Sequence, residues 1–243
     1  MKLLIDAGNT RLKWAWWDGA VLRGAFVLPN AGVDFSALWK NETDLDAVWI
    51  ASVASASANA ALAAALRGRF GVEPVFAATR AQACGVRIAY AAPVLLGVDR
   101  FLGLIAARAQ TSAATVIASC GTALTLDALA ADGTHLGGLI AAGPELAQNA
   151  LRAGTARLAS VAAGRITEIA DNSADAIESG TWLSAAALVE RFCGQAERRM
   201  GRASGLILTG GGAAKLSALL DVPHRIEAEL VLRGLVLLAE SNE

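Results

Sequence analysis

Alternating apolar and polar residues fill the first part of the chain in three runs, LLIDAGN, TRLKWAWWDG and AVLRGAFVL. Turn-forming residues separate the runs, with Gly8 and Asn9 at the first junction and Asp18 and Gly19 at the second. A period of two residues places alternate side chains on opposite faces of a strand, and these turn residues favour tight reversals. The pattern therefore predicts a three-stranded antiparallel meander.

The segments that follow switch between strand and helix periodicity. VWIASV at 48–53 is typical of a buried strand, SANAALAAALRGRF at 57–70 of an alanine-rich helix, and VEPVFAA at 72–78 of a further strand. A strand, a helix and a strand in succession indicate an α/β lobe.

The same layout recurs from residue 115 onward, in the runs TVIASCG, TALTLDALAADG and THLGGLIAAG. Asp132 and Gly133 correspond to the earlier Asp-Gly turn, and the pair Gly121 and Thr122 corresponds to Gly8 and Thr10. Helical patterns then occupy 145–160, 174–200 and 224–241, with the apolar strand GLILTGG between the last two. A duplicated meander followed by helices predicts two α/β lobes, which we divide at 1–112 and 113–243.

Composition excludes several classes of protein. The formal net charge is -1, with 21 Lys and Arg against 22 Asp and Glu, so there is no basic field for a nucleic acid or an anionic membrane. The three cysteines have no C-x-x-C spacing, and the uncharged stretches 50–66 and 109–126 are too rich in small or polar residues for a membrane span. Asp6 and Asn9 interrupt the first apolar stretch before a signal-peptide core is complete. We expect a cytoplasmic protein with small-molecule or protein partners.

The first turn carries the chemistry of a phosphate site. Successive backbone N–H groups at Gly8, Asn9 and Thr10 can surround a phosphate, Asp6 can hold Mg²⁺, and Lys13 adds a cation. For an isolated turn of this kind, a plain hairpin with an Asx turn is the better explanation. The echo at residues 121 and 122 favours the phosphate interpretation, since a nucleotide held by two lobes needs a turn from each.

Two further segments have both a functional and a structural interpretation. Gly210, Gly211 and Gly212 follow an apolar strand and precede a helix, which suits nucleotide contact but also describes an ordinary strand-to-helix turn. Asp99 and Arg100 lie where the helical pattern FLGLIAARAQ begins. Asp99 is either a helix-terminal acid that offsets the macrodipole or the base that accepts a hydroxyl proton, with Arg100 gripping a substrate carboxylate.

Other residues are predicted to be structural. Cys120 has no general base in view and is expected to be a small buried apolar residue. The histidines, 135 and 224, are too isolated to nominate as catalytic groups. The tryptophans at 14, 16, 17 and 39 are too irregularly spaced for a stacking platform and are expected to pack in the core.

Taken together, the motifs resemble those of bacterial type III pantothenate kinases, in the acetate and sugar kinase/Hsp70/actin superfamily. The resemblance spans nearly the whole chain and rests on motifs in one order: DAGNTRLKW (6–14), Tyr90, GVDR (97–100), GTALTLD (121–127), GGLIAAGP (137–144) and DNSADAIESG (171–180). It implies an α/β fold of two ribonuclease H-like lobes of the actin, hexokinase and Hsp70 type, with a nucleotide bound in the cleft between them. The implied activity is ATP-dependent phosphorylation of pantothenate, the first step of coenzyme A biosynthesis.

The resemblance also implies residue roles. Asp99 would be the catalytic base, and Arg100 would meet the pantothenate carboxylate. The pantothenate pocket would comprise Tyr90, Gly97, Val98, Asp99, Arg100 and Ser173, where Ser173 stands at a position at which the family usually has Thr. The first phosphate loop would comprise Asp6, Ala7, Gly8, Asn9, Thr10, Arg11, Leu12 and Lys13, with Asp6 near Mg²⁺, and Thr122 would form the second.

The chain departs from the family at Ser119. Many members carry an Asp there, three residues before the threonine of the GTA motif, and that Asp helps to bind K⁺ or NH₄⁺. A serine oxygen and nearby carbonyls can still coordinate a large monovalent ion, but without a fixed charge we expect a weaker or differently built site. The resemblance further implies a homodimer, for which the apolar helix 182–193 is a candidate interface, although burial within its own lobe explains that helix equally well.

Two other functions stay open from the sequence. A non-catalytic ATP-binding regulatory protein, for example a transcription-linked accessory factor, has the same fold. A kinase for another small hydroxy acid or sugar is a third hypothesis. Joint retention of Asp6, Lys13, Asp99 and Arg100 favours catalysis, because a pure binding module needs no base facing an acceptor.

Overall fold

The structure, a computed structural model, describes residues 1–29, 39, 45–201 and 204–241. It divides into unit 1, comprising Met1–Thr111 and Glu229–Glu243, and unit 2, comprising Ser112–Ala228. Among the described residues, no helix combines the length and the apolar character that crossing a membrane requires.

Unit 1 is built on a five-stranded sheet in the order β3-β2-β1-β4-β5. The predicted meander is confirmed, because β1, β2 and β3 pair antiparallel, while β4 and β5 add parallel strands at the far side of β1. The strands are β1 Lys2–Ala7, β2 Arg11–Trp17, β3 Leu22–Pro29, β4 Ala47–Ser52 and β5 Val75–Phe76. The predicted strand 72–78 is therefore confirmed only over its central two residues.

The remaining elements of this part of the chain connect the sheet to a second helix. Helix α1, Ala56–Phe70, begins at Ser55, whose side chain accepts a bond from Ala58 N. The strands β6 Gln82–Ala83 and β7 Val86–Arg87 form a small hairpin, and a 3-10 turn at Pro93–Leu95 leads into α2, Val98–Gln110. The second helix therefore begins earlier than the pattern predicted.

Unit 2 repeats this plan with a sheet in the order β10-β9-β8-β11-β12. A meander of β8, β9 and β10 is again followed by two parallel strands, which confirms the predicted duplication. The elements are β8 Thr115–Cys120, β9 Ala123–Leu129, β10 His135–Ala142, α3 Pro144–Gly154, α4 Ser173–Met200, β11 Gly205–Thr209, α5 Ala213–Ser217 and β12 His224–Ile226. The third helical pattern was predicted to start at 224, but its first residues form β12.

The last helix, α6 at Leu230–Glu240, belongs to unit 1 rather than to the predicted lobe 113–243. It packs against α2 and β1, and the Lys2 side chain donates to Ala239 O over 3.3 Å. A Cβ at Gly234 would lie 2.0 Å from Leu102 O, so the two helices approach backbone to backbone. Helical periodicity indicates which residues of α6 are buried but not which partner covers them.

Strand parity decides which residues of β1 face which layer. Leu3, Ile5 and Ala7 pack with Leu62 and Leu66 of α1 in one apolar cluster. Because successive side chains of a strand alternate, Asp6 shares the opposite face with Lys2, which contacts α6. The tryptophans at 14, 16 and 39 are buried in unit 1, as predicted for packing residues, whereas Trp17 is half-buried and its Nε1 donates to Glu240 Oε1 over 3.2 Å.

Candidate active site

The first predicted phosphate loop is a tight reversal between β1 and β2. Gly8 N donates to Arg11 O over 3.0 Å, and a Cβ at residue 8 would lie only 3.2 Å from that oxygen. Asn9 and Thr10 are exposed at the tip, whereas Ala7 and Leu12 are buried. The tip can therefore offer polar groups to a ligand, while the side chains of residues 7 and 12 belong to the core.

Three charged side chains of unit 1 come together beside this turn. Asp6 and Lys13 are paired across β1 and β2, so their side chains lie on the same face of the sheet, and both are half-buried. Burial raises the pKa of the Asp6 carboxyl to about 6, Lys13 opposes the rise in that pKa, and the Asp99 carboxylate adds to it. Carboxyl groups with strongly shifted pKa values cluster at functional sites, so Asp6 is a candidate functional residue.

The Asp6 carboxyl is expected to cost stability at neutral pH. Its pKa of about 6 exceeds the ordinary value of 3.8, so between these values the folded state holds more protons than the unfolded state. The free energy of unfolding then falls as the pH rises through this window. An Asp6→Asn variant should therefore have a higher Tm than the unchanged protein at neutral pH, and the difference should vanish in acid.

Asp18→Asn is a control of opposite sign. Backbone bonds from Val21 and Ala20 lower the pKa of the Asp18 carboxyl, so its ionised form stabilises the fold above the ordinary pKa. Differential scanning calorimetry across acidic and neutral pH should find that Asp18→Asn has a lower Tm than the unchanged protein at neutral pH. Equal Tm curves for Asp6→Asn and the unchanged protein would contradict the burial argument.

The start of α2 presents Asp99 in the first helical turn. Gly97 is the N-cap and gives no side-chain bond, so Asp99 does not cap the helix. Asp99 Oδ1 accepts from Arg100 N over 2.9 Å, and the acid still offsets the positive end of the helix. The side chain of Val98 is buried, which leaves its backbone as the part available to a substrate.

Arg100 is buried and held by Tyr90. Its exposure is 8%, its Nη1 donates to the Tyr90 hydroxyl over 3.1 Å, and its guanidinium carbon lies 5.9 Å from the centre of the tyrosine ring. A buried guanidinium requires polar partners, and an ordered fork of N–H donors suits a carboxylate. The structure thus brings together Tyr90, Gly97, Asp99 and Arg100, which the sequence analysis assigned to one pocket.

Gly97 is required by the position of the Asp99 carboxylate. A Cβ at residue 97 would lie 2.6 Å from Asp99 Oδ1, although the backbone angles there suit any residue. A Gly97→Ala variant should therefore fold, but a reaction that uses the Asp99 carboxylate should lose about tenfold in kcat, because the carboxylate must move. Gly68→Ala, in α1 with open space around its Cβ, should leave kcat unchanged. Equal kcat for Gly97→Ala and the unchanged protein would contradict the prediction.

The second predicted phosphate turn, in unit 2, is built from glycine contacts. Gly121 N donates to Ala123 O over 2.9 Å, and Gly143 N donates to Thr122 O over 2.9 Å. A Cβ at residue 143 would lie 2.1 Å from Gly121 O, so only glycine is tolerated there. Sequence reasoning did not nominate Gly143, although the GP pair before a helix was a visible signal.

The glycines 210–212 pack directly on the strand that leads to this turn. Gly212 N donates to Cys120 O over 2.9 Å, and a Cβ at Gly210, whose φ is 89°, would lie 2.4 Å from the same oxygen. The predicted order of strand, glycines and helix is confirmed by β11 and α5. A ligand phosphate on Gly121 and Thr122 would therefore lie beside residues 210–212.

Two other nominated residues lie elsewhere in unit 2. Ser119 is half-buried in β8, with Thr125 and Thr209 as its neighbours on the adjacent strands. Ser173 is exposed at the start of α4, where the Asn172 side chain caps the helix by accepting from Asp175 N. Within the described ranges, no cluster of three or more His, Cys, Asp or Glu is suited to hold a metal ion.

The cysteine and the two histidines that were predicted to be structural lie in contacts within the fold of unit 2. Cys120 is buried, and burial together with Glu145 raises the pKa of its thiol to about 11, which keeps it protonated. His135 is buried against Asp127, with 2.9 Å between Nε2 and Oδ1. His224 Nε2 lies 2.7 Å from Ser217 Oγ.

The fold of this protein is shared with a group of solved structures. Solved structures covering 94–97% of both chains include a Baf family transcriptional activator from Campylobacter jejuni (18% identity, TM-score 0.62) and (R)-2-hydroxyglutaryl-CoA dehydratase component A from Acidaminococcus fermentans (14%, TM-score 0.55). A protein described as a 2-dehydro-3-deoxygalactonokinase from Sinorhizobium meliloti is also similar (14%, TM-score 0.56). At these identities the likeness shows the fold alone. The predicted actin, hexokinase and Hsp70 type of α/β fold is confirmed.

The sequence comparisons point to one family within this fold. The family model for type III pantothenate kinase matches residues 2–195. A type III pantothenate kinase of Aromatoleum aromaticum is 39% identical over 244 residues, covering 100% of this chain and 99% of the relative. Another, from Xanthomonas campestris pv. campestris, is 42% identical over 240 residues, covering 96% and 94%. The chain belongs to the type III pantothenate kinase family.

Proposed function

We propose that this protein transfers the γ-phosphate of ATP to the C4 hydroxyl of pantothenate and forms 4'-phosphopantothenate, the first step of coenzyme A biosynthesis. Family membership over residues 2–195 supports the reaction. The observation that carries the proposal is the charged cluster beside the first turn, where Asp6 and Lys13 are paired across β1 and β2 and Asp99 adds a second carboxylate. A hydroxyl acceptor needs a carboxylate near the phosphate-binding residues, and this cluster supplies one.

The acceptor side would be formed by the start of α2. Asp99, half-buried in the first turn, would accept the proton of the attacking hydroxyl. Arg100 would bind the pantothenate carboxylate through its forked N–H groups, and Tyr90 would hold that fork in place. A role for the exposed Ser173 hydroxyl in binding pantothenate stays a prediction.

The ATP side would be formed by backbone and charge. Residues 8–13 would bind phosphate oxygens, with Lys13 neutralising their charge, and Thr122 would bind phosphate in unit 2. A single carboxylate with phosphate oxygens and water is a donor set that Mg²⁺ accepts, so Asp6 suits it. When bound, Mg²⁺ supplies charge neutralisation on the transferred phosphoryl group. Whether K⁺ or NH₄⁺ also binds, with Ser119 at the position of the family's Asp, stays a prediction.

A homodimer belongs to the same proposal. The predicted interface helix 182–193 turns Trp182, Ala185 and Val189 into the core of its own unit. Leu183 of the same helix is exposed. A cavity of about 320 Å³ lies between α3, α4 and the sheet, lined by residues such as Leu151 and Leu188. Analytical ultracentrifugation tests the dimer directly. The cytoplasmic location of the protein also stays a prediction.

The direct test is transfer of labelled γ-phosphate from ATP to pantothenate by the purified protein, with and without K⁺ or NH₄⁺. Product formation establishes the kinase, and its dependence on the ion decides whether Ser119 still permits a cation site. A panel of other hydroxy acids and sugars tests the acceptor. ATP binding without any product would overturn the proposal and favour the regulatory ATP-binding function.

A further inference from the structure

A charged pair outside the nominated site lies directly behind the glycines 210–212. Lys215 of α5 bonds to the carboxylate of Glu178 on α4 and lies 4.6 Å above the centre of the Trp182 ring. Glu178 and Trp182 are four residues apart, which places them on the same face of α4. One lysine therefore joins α5 to α4 by a charge-assisted bond and by a cation–π contact at once.

The burial of this group indicates that its geometry is constrained. The Glu178 side chain is only 8% exposed, while that of Lys215 is 47% exposed. A buried carboxylate without its counter-charge is costly, so the lysine is held where the carboxylate lies. Trp182 is buried in the core of unit 2 and forms a rigid base beneath the ammonium.

The same tryptophan contacts the glycines. A Cβ at Gly212 would lie 3.1 Å from Cη2 of Trp182 and 2.6 Å from Sγ of Cys120, so this glycine is packed between the two side chains. Gly212 N also donates to Cys120 O, at the end of the strand that leads to Gly121 and Thr122. The position of the glycines relative to that phosphate turn thus depends on α4 through Trp182 and Lys215.

We propose that Glu178, Trp182 and Lys215 are positioning residues that fix the glycines 210–212 against the Gly121–Thr122 turn, and thereby set the affinity for the nucleotide but not for the acceptor. This inference rests on the proposed function, since it takes the second turn to bind ATP. Without the contacts of Lys215 with Glu178 and Trp182, α5 is held less firmly on α4, and binding of the nucleotide must then bear the cost of ordering the glycines.

The test is ATP binding by the full-length protein, measured by isothermal titration calorimetry with Mg²⁺ and without pantothenate. A double variant, Glu178→Gln with Lys215→Met, removes both charges and so avoids an unpaired buried carboxylate. It should unfold near the temperature of the unchanged protein yet bind ATP about tenfold more weakly, with the KM for pantothenate unchanged at saturating ATP. Lys215→Arg keeps a cation beside both Glu178 and Trp182, so its affinity for ATP should stay within about twofold of that of the unchanged protein.

The matched control removes an exposed pair in unit 1, as Arg67→Met with Glu73→Gln. Those two side chains form a 2.9 Å ion pair but are 49% and 69% exposed, so ATP binding should not change. If the double variant does not fold, Trp182→Phe keeps the apolar packing and should still weaken ATP binding by about threefold. Unchanged ATP binding in a folded variant overturns the inference. If the proposed function fails instead, the unchanged protein binds ATP but forms no phosphorylated pantothenate.

Discussion

An Asp99→Asn variant is expected to lose about a thousandfold in kcat while it keeps the fold and binds ATP. Asn accepts the same backbone bond from Arg100 N, 2.9 Å in the unchanged protein, so the start of α2 should keep its conformation. An amide cannot take the proton of the attacking hydroxyl, and this loss falls on the chemical step. Steady-state kinetics with both substrates saturating measure it.

A second readout separates loss of the base from a general disturbance. The Asp99 carboxylate helps to raise the pKa of Asp6, so its removal should lower that pKa from about 6. Carboxyl titration by NMR detects this change in the folded variant. Glu73→Gln removes an exposed carboxylate and should change neither kcat nor the Asp6 pKa. An Asp99→Asn enzyme with unchanged kcat would exclude Asp99 as the base.

Arg100→Met is expected to lower kcat/KM for pantothenate about a hundredfold. The variant keeps an apolar stem of similar length but loses the N–H groups, one of which donates to the Tyr90 hydroxyl over 3.1 Å. The loss should depend on the substrate carboxylate. In the unchanged enzyme, the alcohol analogue in which CH₂OH replaces the carboxylate should be a much poorer substrate than pantothenate, whereas the variant should use the two about equally.

Competition between pantothenate and its alcohol analogue measures this discrimination in one assay. Arg108→Met alters the same type of residue in the last turn of the same helix and should preserve discrimination. Arg100→Met with full preference for the acid would show that another group binds the carboxylate. A parallel fall in discrimination for Arg108→Met would indicate a general effect on α2.

The duplicated plan was predictable because meanders have a strong local signal. Period-two alternation, Asp-Gly turns and short loops specify β1 to β3 and β8 to β10 almost independently of the rest of the chain. The glycines 121 and 210–212 were found for the same reason, since they interrupt apolar strands. Asp99 and Arg100 were located by the helical pattern that follows them, although the helix begins at Val98.

Contacts between distant segments were not predictable. Residues 224–226 form an edge strand beside β11, which depends on pairing and not on local pattern. Gly143 is required by Gly121 O, and Glu178 is paired with Lys215, 37 positions later in the chain. No periodicity within one element reveals such pairs. The first turn was found through its motif, but its electrostatic coupling to Asp99 appears only in the folded unit 1.

The return of α6 to unit 1 has a consequence for synthesis. Unit 2 is one continuous stretch of chain, whereas unit 1 is completed by a helix encoded after it. During translation, unit 2 can therefore finish folding before the leucines of α6, which cover α2, have been synthesised. The unit that carries Asp6 and Asp99 is therefore begun before unit 2 is synthesised and completed after it.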